Sequence, residues 1–224
     1  MVIVLAPVFI LALYFIFSDK YKEPLASILG ALFIGILIAP VAGILNVGLM
    51  PAFIYDFMGI PYEEETFFFF LLNASFFSAI PEEILKYLGL LYVAKKFLSF
   101  DEPMDGIVYG SLISLGFAGI ENIQYYYAHG DGVEYLRAFT AVPLHAACGA
   151  ITGYNFQKYH FSNKEVKDYH FKCFTPAIML HFAYNFSAYL SMYYPIFSLI
   201  LLGLVLFSYN KILNLGGAKN EIKQ

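Results

Sequence analysis

Cysteine is nearly absent from this sequence: Cys148 and Cys173 are the two in 224 residues, and no CxxC spacing joins either to a second thiol. A disulfide framework and a thiolate metal site are thereby excluded. Charge is scarce as well, at 13% of residues against 60% hydrophobic, with a mean hydropathy of +0.66. So few ionic groups cannot cover the apolar side chains of a water-soluble globule of ordinary composition, and the solvent implied is lipid. There is no basic patch, which removes nucleic acid from the partners. Linkers rich in Pro, Gly or Ser, long charged tails and internal repeats are missing too. Residues 1–224 therefore read as a single transmembrane domain without the duplicated halves of many transporters.

What the sequence has in quantity is apolar runs long enough to cross a bilayer core of about 30 Å. They predict an all-α, polytopic membrane bundle of about seven transmembrane helices, near 1–18, 24–47, 65–96, 105–128, 134–158, 172–192 and 195–213. The first run lacks a basic leader and a small-residue cleavage site, and is expected to stay as a span. Residues 51–65 are too short and too acidic to cross and are expected to form a loop. Lys20 and Lys22 follow the first span, Lys95 and Lys96 the third, Lys158, Lys164, Lys167 and Lys172 the fifth, and Lys211, Lys219 and Lys223 the seventh. Lysine and arginine accumulate on the cytoplasmic side, so these alternate loops predict an outside N-terminus and a cytoplasmic C-terminus. A multi-pass protein of the cell membrane, with the lipid bilayer as its partner, is the expectation.

Several residues do not suit that solvent. Glu82 and Glu83 fall in the third run, Glu121 in the fourth, His145 in the fifth and His181 in the sixth. Each ionisable group in hydrocarbon costs roughly 2.5–3.5 kcal/mol even on a lenient scale, so such groups face a protein interior or a wet cavity. Convergence of four successive helices on one cavity is the economical arrangement. Residues four apart share a helix face, which pairs Glu82 with Lys86, Phe117 with Glu121, His145 with Gly149 and His181 with Asn185. Glu83 is turned about 100° from Glu82, so one of the two is expected to be reactive, with Lys86 orienting Glu82. Pro81 removes a backbone hydrogen bond beside them and is expected to open room for water. Taken singly, any of these histidines or asparagines reads at least as well as an interhelical hydrogen bond. Gly106, Gly110, Ser114 and Ala118 recur every fourth position, as do Ala146 with Ala150 and Gly149 with Gly153, which predicts close packing of the fourth and fifth spans.

Glu82-Glu83-Ile-Leu-Lys86, Phe117-Ala-Gly-Ile-Glu121-Asn122, His145-Ala-Ala-Cys-Gly149 and His181-Phe-Ala-Tyr-Asn185 follow one another on successive helices. In that order the chain resembles the PrsW family of intramembrane proteases, relatives of the type II CAAX prenyl endopeptidases and the bacteriocin-processing membrane proteases. Asp19-Lys-Tyr-Lys-Glu23-Pro24 also looks like the family, and the resemblance covers nearly the whole chain. The CAAX branch typically has Phe-x-x-x-His where this chain has Glu121, which places it nearer PrsW. The resemblance implies cleavage of a membrane-anchored protein substrate, anti-sigma factors being the familiar ones in bacteria.

In the mechanism expected, Glu82 or Glu83 is general base to a water, while His145, His181 and Asn185 stabilise the oxyanion or protonate the leaving amine. Lys86, Phe117, Asn122 and Gly149 support them. Either no cofactor is required or one zinc ion is bound, held by Glu121, His145 and His181; no HExxH helix is present. Two other classes use the same polar groups: a proton- or ion-coupled transporter, and a non-catalytic membrane scaffold.

Overall fold

A computed structural model describes residues 2–49, 56–57, 67, 71, 73–129, 132–162 and 168–217. Among them are seven α-helices and no strand: α1 (Val2–Ser18), α2 (Leu25–Ile44), α3 (Ser78–Lys96), α4 (Pro103–His129), α5 (Val133–His160), α6 (Tyr169–Ser191) and α7 (Ile196–Gly216). The expected all-helical bundle is found. Most of the loop expected at 51–65, and the start of the third run, lie outside the described residues.

Three of the helical segments are long and apolar enough to cross a membrane: Leu25–Gly48, Pro103–Ala128 and Ile196–Gly216. α3, α5 and α6 carry Glu82, Glu83, Lys86, Arg137, His145 and His181, and their apolar character is diluted accordingly. The apolar helices divide by position. In the Pro103–Ala128 segment 83% of the most apolar window is buried, whereas in Ile196–Gly216 the share is 17%. α4 is thus the axis of the bundle, with α5, α2 and α1 packed around it. α7 and α2 turn Leu199, Leu202, Leu206, Leu29, Phe33 and Leu37 outward, as a lipid-facing surface requires.

The small-residue stripes of α4 and α5 meet as predicted. A Cβ added at Gly110 would lie 2.5 Å from the Gly149 carbonyl oxygen, and one at Gly153 would overlap the Gly106 carbonyl. Backbone-to-backbone approach of this kind replaces the hydrophobic drive that lipid cannot supply between helices. It also fixes the relative depth of Glu121 on α4 and His145 on α5.

Two wide π turns break the regularity where depth matters. Leu45–Leu49 prolongs α2, and Asn73–Phe77 leads into α3. The second ends at Phe77, whose carbonyl Pro81 cannot engage, having no N–H. π turns of this kind are frequent at functional sites. Here they place Asn46 and Asn73 on the wall of a cavity of about 630 Å3.

Gly153→Ala must push the α4 and α5 backbones apart, at about 1–3 kcal/mol or more, whereas nothing lies within 4 Å of a Cβ at Gly203. Thermal unfolding in detergent is expected to show Gly153→Ala roughly 5 °C below the wild type and Gly203→Ala unchanged. Equal midpoints for the two variants would contradict the packing described.

Candidate active site

Glu82 and Glu83 are 5% and 1% exposed near the start of α3, beside Lys86 at 4%. Lys86 Nζ donates to Glu83 Oε1 at 2.7 Å and lies 3.9 Å from Glu82 Oε2. The i, i+3 partner therefore takes the short ion pair, and the expected orientation of Glu82 by Lys86 is only the longer contact. Lys86 Nζ also donates to His145 Nδ1 at 2.9 Å and sits 4.1 Å from the Phe117 ring centroid. A buried ammonium with three such partners is satisfied on every side.

His181 Nδ1 lies 2.8 Å from the same Glu83 oxygen. Glu83 Oε1 already accepts from the ammonium, so Nδ1 is the ring nitrogen that donates to it, and in the neutral ring Nε2 keeps its lone pair. That lone pair faces Glu82 Oε2 at 3.9 Å. His145 stands edge-on to His181, with ring centroids 4.9 Å apart at 87°. Its Nε2 is 2.8 Å from Glu121 Oε2, which also accepts from the Arg137 guanidinium at 2.9 Å. Arg137 in turn covers the Tyr125 ring at 3.6 Å.

Glu82 is the exception in this well-paired set. Its Oε1 accepts from Asn46 Nδ2 at 3.0 Å, but Oε2 is buried and accepts no hydrogen bond. Glu82 and Glu121 both line the cavity, together with Ser78, Asn185, Arg137 and Asn46. Glu83, His145 and His181 are absent from that lining and lie behind Glu82, so the two neighbouring glutamates differ in access. Asn185 donates to Ser78 Oγ at 3.1 Å on the cavity wall.

The predicted site residues are therefore brought together with two exceptions. Asn122, next to Glu121 but a third of a turn away, is fully buried and donates to the Val4 carbonyl at 3.0 Å, tying α1 to α4. Gly149 serves the α4–α5 contact and not the cavity. Two participants escaped the sequence reading. Arg137 is not singled out by the sequence patterns, although it stands two helical steps of four before His145 on α5. Asn46 gave as its signal a lone carboxamide at the end of an otherwise apolar run.

A model described as the PrsW family intramembrane metalloprotease matches residues 23–209. The chain belongs to the PrsW family. Similar proteins include Protease PrsW of Bacillus subtilis, 33% identical over 192 residues that cover 81% of this chain and 79% of the relative. Protease PrsW of Oceanobacillus iheyensis is 32% identical over 182 residues, with 81% and 79% covered. That of Clostridioides difficile is 29% identical over 201 residues, with 86% and 80% covered. No solved structure matches. The chain is a membrane peptidase of the intramembrane protease type.

A metal in this PrsW chain must suit the donors present. One oxygen of Glu82 and one nitrogen each of His145 and His181 lie within 4.8 Å of one another. Two imidazoles and a carboxylate are a common ligand set for catalytic zinc and leave a fourth position open. The bare Oε2 of Glu82 and the free lone pair of His181 fit that use. Glu83 on the other nitrogen of His181 is the carboxylate–histidine support such ligands have. The ligand set expected from sequence had Glu121 in place of Glu82. In the structure Glu121 is engaged by Arg137 and His145, and Glu82 completes the group.

Replacing Lys86 by Met leaves Glu83 with its imidazole partner alone, and breaking a buried pair from one side costs about 3–5 kcal/mol. Thermal unfolding of Lys86→Met, Glu83→Gln and the double variant is expected to show the double variant well above the sum of the single losses. Strict additivity would mean that the pair is not coupled.

Proposed function

We propose that this protease hydrolyses a peptide bond of a membrane-anchored protein, an anti-sigma-type factor being one such substrate, at the cavity face of Glu82. The observation that carries the proposal is the bare, buried Oε2 of Glu82 opposite His181 Nε2, on a side chain that lines the cavity. Glu82, His145 and His181 would hold a zinc ion. When bound, the ion supplies Lewis acidity toward the scissile carbonyl and toward a water molecule.

The chain's own residues divide the remaining work. Asn46 holds Glu82 by its other oxygen, and Glu83 holds His181 in the tautomer that presents Nε2. Lys86 neutralises Glu83, so the site does not gather uncompensated negative charge. Glu121 is 18% exposed toward the cavity, and Arg137 and His145 fix it through a single oxygen. Its other oxygen accepts the proton of the attacking water as the new O–C bond forms. The same proton passes to the amide nitrogen as the C–N bond breaks, giving a carboxylic acid and an amine. Asn185 and Ser78 offer hydrogen-bonding groups to an extended peptide backbone in the cavity.

One observation supports a second chemistry at the same residues. Both ring nitrogens of His145 are occupied, by Lys86 and by Glu121. A metal ion would have to displace one of these partners. Without an ion, Glu82 is itself the open acceptor for a water proton, and His145 and His181 are its neighbours.

The placement in the membrane belongs to the same proposal: seven spans, an outside N-terminus and a cytoplasmic C-terminus, as the lysine-bearing loops favour. The polar groups of α3, α4, α5 and α6 then meet inside the bilayer.

Glu82→Gln keeps the shape of the side chain and removes its charge. In a proteolysis assay with the purified full-length protein it is expected to lower activity at least 100-fold while leaving the unfolding midpoint within a few degrees. Full activity in this variant would remove Glu82 from the reaction. Metal analysis separates the two chemistries. The metal-assisted route predicts one zinc per chain, lost in His181→Ala and kept in Asn122→Ala, with activity abolished by chelation. Chelator-resistant activity of a zinc-free protein would instead select Glu82 as the base.

A further inference from the structure

The turns at the other end of α4 hold a second group of acids. Asp105 begins α4 sixteen residues before Glu121, which at 1.5 Å per residue puts it about 24 Å from the catalytic cavity. Asp19 lies just past α1, Glu23 just before α2, and Glu102 just before α4. Carboxylate oxygens of Asp19, Glu102 and Asp105 all lie within 4.8 Å of one another.

Burial makes this more than a cluster of surface acids. Asp19 is 2% exposed and Asp105 fully buried. Each is fixed through one oxygen: Asp19 Oδ1 accepts from the Tyr21 N–H at 3.0 Å, and Asp105 Oδ2 accepts from the N–H groups of Asp101 and Glu102 at 2.8 and 2.7 Å. The other oxygens, Asp19 Oδ2 and Asp105 Oδ1, are buried and accept from no N–H or hydroxyl; the carboxyl groups of Glu102 and Glu23 stand at hydrogen-bonding range of Asp19 and Asp105 respectively. Lys22, which lies between Asp19 and Glu23 in sequence, gives its hydrogens to the carbonyls of Ile16, Phe17 and Asp19. Among the described residues no lysine, arginine or histidine forms an ion pair with Asp19, Glu23, Glu102 or Asp105. Glu23 accepts from the Tyr109 hydroxyl and stands within reach of Asp105, adding to the negative charge.

Bare carboxylate oxygens turned toward one another away from water need either a cation or a shared proton. We propose that Asp19, Glu102 and Asp105 bind a hard divalent cation, magnesium or calcium. The donors are oxygens alone, which suits those ions and contrasts with the imidazole-bearing site at Glu82. The ion joins the α1–α2 turn to the α3–α4 turn. It thereby braces α4, which carries Glu121, against α1, α2 and α3. The inference goes beyond the hydrolytic function and does not depend on it.

The test uses full-length protein in detergent, stripped with chelator, with thermal unfolding followed as magnesium chloride or calcium chloride alone is added. The wild type is expected to show a saturable rise in its midpoint with at least one of the two ions. Glu82→Gln is expected to show the same rise, which separates this site from the catalytic one. Asp105→Asn and Glu102→Gln are expected to need at least ten-fold more ion or to lose the rise. Glu102 is half-buried, so its variant keeps the test open should Asp105→Asn fail to fold. A wild type indifferent to both ions, or a rise that survives in Glu102→Gln and Asp19→Asn, would overturn the proposal. In the first case, a metal-free Asp105→Asn more stable than the wild type would identify protons shared among the acids as the device in place of the cation.

Discussion

Buried charge in a lipid solvent must be answered inside the protein, and in this chain one ammonium does most of the answering. Lys86 reaches Glu83, Glu82, His145 and the face of Phe117 from a single position on α3. It links three helices: α3 itself, α4 through Phe117 and α5 through His145. His181 on α6 joins the same set through Glu83. An unpaired carboxylate at this depth would cost several kcal/mol, so the polar groups of the four helices settle into mutual contact, and among the charged groups of the site Glu82 Oε2 and Arg137 Nε are the buried atoms that keep no hydrogen-bond partner. The fold that surrounds this set is correspondingly simple. A buried α4 acts as axis, glycines bring α5 against it, and two π turns place Asn46 beside Glu82 and Asn73 on the cavity wall.

Much of this was legible in the sequence, because the same constraint acts on the sequence as on the structure. An acid or imidazole in a long apolar run has few places to go, so Glu82, Glu83, Glu121, His145 and His181 could be expected to converge before any helix was placed; they do meet one another, but only Glu82 and Glu121 of the five line the cavity. The helical runs and the α4–α5 contact were equally legible, since both follow from period and residue size. Partner choice within the site was not. Spacing of four paired Lys86 with Glu82, yet the short contact goes to Glu83, three residues away, because His145 and Phe117 draw the ammonium to that side. The same limit kept Arg137 and Asn46 out of the predicted site. Which residues of two different helices touch is set by packing angle and depth, and no single run encodes these.

The two neighbouring glutamates illustrate how burial separates chemically identical groups. Glu83 is engaged by a lysine and a histidine and is not among the residues that line the cavity. Glu82 is held by one carboxamide and keeps an acceptor bare at the cavity wall. Glu83 holds its neighbours in place, whereas Glu82, the acid proposed to react, is held in place by its neighbour. Glu121 combines the features, fixed at one oxygen by Arg137 and His145 while its side chain stays in contact with the cavity.

The central claim is that Glu82, His145 and His181 form one donor group fit to hold zinc. X-ray absorption of the zinc-loaded full-length protein tests it most directly, because the spectrum reports the identity and distance of the atoms around the ion. The account predicts two imidazole nitrogens and carboxylate or water oxygens at about 2.0–2.2 Å, with an imidazole lost in His145→Ala. A shell without imidazole scattering, or one unchanged by that substitution, would contradict it.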